Sequence, residues 1–65
     1  MPHVDITMIP GRNHEQKKDI AVKIQKFLAE ELKISENVIT VSIEDIPMES
    51  WEEHMNGMTD KIRYI

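Results

Sequence analysis

The residue with the least ordinary chemistry in this sequence is Pro2, which directly follows Met1. A small second residue ordinarily permits removal of an initiator methionine, and the new terminus would then be a secondary amine. An unperturbed α-amine has a pKa near 8, so only roughly 10% is free base at pH 7. Burial in an apolar pocket and a nearby guanidinium, such as that of Arg12, both disfavour the ammonium and populate the base. Such a nitrogen can take an enol proton or an α-proton and return it to carbon, with no metal and no cofactor. Retention of Met1 would make the same nitrogen an amide, which is not a base. The plainer explanation is that Met-Pro starts are common and that proline is tolerated at the first residue of an edge strand.

The rest of the chemical inventory is thin. Cysteine is absent, and there is no Gly-rich phosphate loop, no HExxH and no local triad pattern among the hydroxyls. His3, His14 and His54 are scattered without ligand spacing, so no metal site is expected. Glu52 and Glu53 beside Trp51 read most simply as a charged helix face, and Met48, Met55 and Met58 as flexible packing. Lys17, Lys18 and Lys23 are assigned to the solvated side of a helix.

The elements that would position Pro2 follow from periodicity. Residues 3–9 alternate, with Val4, Ile6 and Met8 on one side and His3, Asp5 and Thr7 on the other, which predicts a half-buried strand. Pro10 and Gly11 end it. Asn13 with Gln16 three residues later forms a capping signal, and Ile20, Ile24, Phe27, Leu28 and Leu32 make an apolar stripe, which predicts a helix over about 14–33. Alternation returns from Val38 to Glu44 as a second strand. Strand, helix and strand make one βαβ unit of the α/β (α+β) class, with parallel strands, a right-handed crossover and the helix on one sheet face. After Pro47 a short helical turn closing near Asn56 and Gly57, then an extended arm over residues 59–65, complete the expectation.

Size and charge bound the partners. Sixty-five residues make one domain, 1–65, which buries only about 60% of its unfolded surface. With no disulfide available, self-association is the expected source of further burial, and it would also cover the open sheet edges. A net charge of −4 with interspersed signs gives no footprint for nucleic acid. The first residues lack a signal peptide's pattern and no run of roughly 18 apolar residues occurs, so a soluble, cytoplasmic protein that binds no membrane is expected.

Pro2, the PGR of residues 10–12 with the EQKK of 15–18, and the VSIEDIPMESW of 41–51 resemble the 4-oxalocrotonate tautomerase family over nearly the whole chain. The PHVDI opening and PMESW are also similar to that family's phenylpyruvate-tautomerase branch, whose members include homodimers where others are homohexamers. The resemblance implies a βαβ subunit and an amino-terminal proline as general base, matched by Pro2. It implies an arginine after the first strand that holds a substrate carboxylate, matched by Arg12, and a pocket aromatic, matched by Trp51. A second arginine of the family falls on Thr40, which cannot make a bidentate charged contact. The expected substrate is therefore a small carboxylate such as an aryl or alkyl 2-oxo acid, not assuredly a dicarboxylate. Related hydrolytic dehalogenases place a water-activating glutamate where Glu53 stands, which gives a second reading, hydration or dehalogenation with Pro2 as acid. A non-catalytic oligomerisation module is the third.

Overall fold

The computed structural model describes all 65 residues, Met1–Ile65. In chain order it has strand β1 (His3–Met8), helix α1 (His14–Leu32), a single 3-10 turn at Glu36–Val38, strand β2 (Thr40–Asp45) and helix α2 (Met48–Asn56). The two strands pair in parallel, with His3 opposite Thr40 and Met8 opposite Asp45. This is the βαβ unit that the alternating and helical periods predict.

α1 starts where the sequence provides a cap. The Gln16 N–H donates to Asn13 Oδ1 at 2.8 Å, and the Asn13 N–H donates to Gln16 Oε1 at 2.9 Å, which satisfies two otherwise orphaned donors. Lys33 closes the helix in the left-handed conformation, with its N–H on the Ala29 carbonyl. The Gln25 side chain donates to the carbonyls of Glu36 and Ile39, tying α1 to the turn before β2. Ile39, at 2% exposure, and Ala29 are the two buried residues that make up the small core.

Several local expectations are corrected. β2 begins at Thr40, not Val38, because the Ser35 hydroxyl accepts the Asn37 N–H and winds Glu36–Val38 into a 3-10 turn. Phe27 and Leu32 lie outside the inward stripe of α1 and are largely exposed. Lys17, assigned to the solvated side, instead reaches across to Asp45 with Nζ–Oδ2 at 2.7 Å and is half-buried. α2 is a full nine-residue helix, and the residues after it form one more turn closed on the Thr59 carbonyl instead of an extended arm.

The unit does not close on itself. It leaves 5515 Å² accessible, against about 4,300 Å² for a compact monomer of 7.6 kDa. Its radius of gyration is 13.4 Å, where about 11 Å is usual for this length. It is a slab of 37 × 31 × 16 Å with Val22, Phe27, Met48, Ile62, Tyr64 and Ile65 exposed. No helix is long and apolar enough to cross a membrane.

Candidate active site

The β1–β2 pair has two ends, and the expected site residues divide between them. At one end lie Pro2 and Thr40, joined by a hydrogen bond from the Thr40 N–H to the Pro2 carbonyl at 3.3 Å. Pro2 is half-buried. Beside it, His3 Nδ1 meets the Thr40 hydroxyl at 2.5 Å and His3 Nε2 meets the Ser42 hydroxyl at 2.9 Å. Ser42 already donates its only hydroxyl proton to Asp5 Oδ1 at 2.6 Å, so His3 Nε2 must carry the hydrogen that Ser42 accepts. In neutral His3, Nδ1 then accepts from Thr40.

The chain of contacts continues along the sheet face opposite α1. The hydrogen bond from Ser42, and then one shared with Glu44, hold the Asp5 carboxyl below its ordinary range. The hydrogen bond to Asp5 and the neighbouring negative charge push the Glu44 carboxyl above its own. His54 Nε2 is hydrogen-bonded to the Thr7 hydroxyl at 3.0 Å further along. The whole face is polar because the alternation places His3, Asp5 and Thr7 opposite Thr40, Ser42 and Glu44. Its histidines sit near opposite ends, and His14 is on α1.

At the other end of the strands lies a cavity of 760 Å³. The Ile46 N–H binds the Met8 carbonyl at 2.8 Å, and Pro47 then turns the chain into α2. That turn carries Met48, Trp51 and Glu52 over the end of β1, where they face Met8, Ile9, Ile20 and Arg12. Spacings of three and four residues put Met48, Trp51 and Glu52 on one side of α2. Trp51 is half-buried and its ring lies 5.8 Å from that of His54. Arg12 is exposed and takes part in neither of the chain's two ion pairs, Lys17–Asp45 and Lys23–Asp19. It is the only cation on an otherwise mainly apolar wall, an arrangement suited to a carboxylate attached to an apolar body.

Arg12 and Trp51 are therefore brought together, whereas Pro2 and Thr40 are not with them. The strand between them runs from His3 to Met8, which at about 3.3 Å per residue separates the two ends by roughly 17 Å. Glu53, the residue matched to a water-activating glutamate, lines a different groove with Ser50, His54 and Gly57. Glu52, which the sequence places with Glu53 on a charged helix face, is the carboxylate in the Arg12 cavity, because the phase of so short a helix depends on where Pro47 starts it.

Comparison with known proteins agrees with this architecture. The family model described as "Tautomerase enzyme" matches residues 2–60. The chain is 37% identical over 51 residues to a 2-hydroxymuconate tautomerase of Comamonas testosteroni, covering 78% of this chain and 81% of that protein. It is 33% identical over 61 residues to a probable tautomerase of Bacillus cereus, covering 94% of this chain and all of that protein. A probable tautomerase of Xylella fastidiosa is 26% identical over 57 residues, or 88% of this chain and 70% of its own length. With a family match over almost its whole length and these relatives, the chain belongs to the tautomerase family, and its activity is that of an isomerase interconverting tautomers.

Proposed function

We propose that this protein is a cofactor-independent keto-enol tautomerase of 2-oxo acids or 2-hydroxydienoates, with the Pro2 amine as general base and Arg12 holding the substrate carboxylate. The observation that carries the reading is the placement of Arg12, unpaired, with Trp51 on one apolar cavity. Removal of Met1 makes the Pro2 nitrogen a secondary amine. That amine takes the enol proton and returns it to a carbon of the conjugated system, so the enol O–H is exchanged for a C–H and no other reactant enters. Arg12 holds the carboxylate and stabilises negative charge that develops on the enolate, while the Trp51 indole N–H can donate to the same oxygens.

The roughly 17 Å between the two ends of one sheet supports a composite site, with Pro2 from one copy and Arg12 and Trp51 from another. A homo-oligomer, dimer or hexamer, is part of the proposal, supported by the open slab shape and the exposed apolar residues. Thr40 then belongs to the Pro2 side of the site. Placement of Glu53 outside the Arg12 cavity favours the tautomerase over the hydratase reading.

The test is ketonisation of phenylenolpyruvate or 2-hydroxymuconate by processed protein and by a Pro2→Ala variant. Loss of roughly 100-fold or more is the expected scale for a general base. Undiminished turnover would sink the mechanism.

A further inference from the structure

The Arg12 cavity holds two formal charges, and they do not neutralise each other. Arg12 is its only cation and Glu52 its only anion. Neither joins an ion pair, and neither side chain makes a hydrogen bond within the chain. The rest of the lining is mainly apolar, with Met8, Ile9, Ile20, Met48 and Trp51. Thr7, the remaining polar group, is already bonded to His54. The cavity thus presents one unpaired positive group and one unpaired negative group on a mainly apolar lining.

We propose that Glu52 is a specificity-determining residue that selects substrates by their distal end. This deepens the tautomerase reading and rests on it. A substrate whose carboxylate meets Arg12 lays its body along the apolar walls and turns its far end toward Glu52. A second carboxylate there meets a like charge and finds no cation, so dicarboxylates are disfavoured. A neutral ring or alkyl group is accepted, and a far-end hydroxyl donates a hydrogen bond to the carboxylate. The favoured class is a monocarboxylic 2-oxo acid with an aryl or alkyl body, best when it ends in a hydrogen-bond donor.

The experiment compares kcat/KM for phenylenolpyruvate, its 4-hydroxyphenyl analogue and the dicarboxylate 2-hydroxymuconate. Processed wild type, Glu52→Gln, Glu52→Lys, Glu53→Gln and Pro2→Ala are measured side by side, with circular dichroism as the check on folding. Because Glu52 is exposed and water screens it, Glu52→Gln should shift the monocarboxylate-to-dicarboxylate ratio about tenfold toward the dicarboxylate. Glu52→Lys should shift it further, and both should lose the preference for the hydroxylated ring. Glu53→Gln, on the other groove, should leave the ratios as in wild type. Unchanged ratios in both folded Glu52 variants, or an equal shift in Glu53→Gln, would overturn the role of Glu52 while the proline mechanism stands. Full activity in Pro2→Ala would instead overturn the tautomerase mechanism itself, so the two failures are distinguishable.

Discussion

The imidazole of His3 and the hydroxyl of Thr40 are joined across the strand pair at 2.5 Å, and the Thr40 N–H reaches back to the Pro2 carbonyl. Thr40 thus grips both the residue proposed as the base and its neighbour. Replacing Thr40 by Val keeps the β-branched shape and the backbone donor but removes the hydroxyl. Because the pair is exposed, the stability loss should be about 1 kcal/mol or less by chemical denaturation. In turnover the expected signature is a fall in kcat of roughly tenfold with KM little changed, as for a misplaced reacting group. A selective rise in KM would assign Thr40 to substrate binding instead.

Separation of Pro2 from Arg12 along β1 predicts complementation. Pro2→Ala and Arg12→Ala should each be nearly inactive alone, with Arg12→Ala raising KM as well as lowering kcat. Mixing the two variants, unfolding and refolding them together should restore roughly a quarter of wild-type activity if each site draws one residue from each of two copies of a symmetric assembly. No recovery, with mixed oligomers demonstrated by native mass spectrometry, would show that the two residues act from the same copy.

Gly11 has φ of +142°, and a methyl group built there would meet no atom within 4 Å. The constraint is therefore backbone conformation and not space. Gly11→Ala should destabilise the fold by about 1–3 kcal/mol. Since Gly11 immediately precedes Arg12, KM should rise in the folded fraction too. Urea unfolding followed by kinetics at a temperature where the variant is folded checks both.

The Asp5–Glu44 pair predicts a pH dependence. Glu44 has its folded pKa raised by its hydrogen bond to Asp5 and by the adjacent charge, so its stabilising contribution is present in acid and lost as pH rises through the folded value. Asp5 has the opposite sign: its pKa is lowered, chiefly by Ser42, and its contribution is lost as pH falls through the folded value. Glu44→Gln keeps a donor for Asp5 and removes the ionisation. The variant's Tm should gain on wild type as pH rises from the carboxylate range to neutrality, and the difference should vanish in acid. A constant difference across that window would exclude the shared proton.

Much of the fold was legible in the sequence because it depends on local periods. The alternation of Val4, Ile6 and Met8 and the Asn13–Gln16 cap are short-range signals, and both are found as expected. Phase and long-range pairing were harder to read. Lys17 looks like any solvated lysine until β2 brings Asp45 beside it. Glu52 and Glu53 are equivalent in sequence, and only the Pro47 turn decides which one enters the cavity. The division of Pro2 and Arg12 between two ends was legible, because the strand predicted over residues 3–9 separates them, whereas the company each keeps, Thr40 at one end and Trp51 at the other, depends on long-range pairing.

The strand ladder takes only an oxygen from Pro2. Its carbonyl accepts the first cross-strand hydrogen bond, and proline has no N–H to give. Whatever is bonded to that nitrogen, the sheet forfeits no hydrogen bond when the bond is cut. Met1 is fully exposed, where a peptidase could reach it. Assembly of the fold and release of the amine proposed as the base are therefore separable events, and the sheet can be complete before that amine exists.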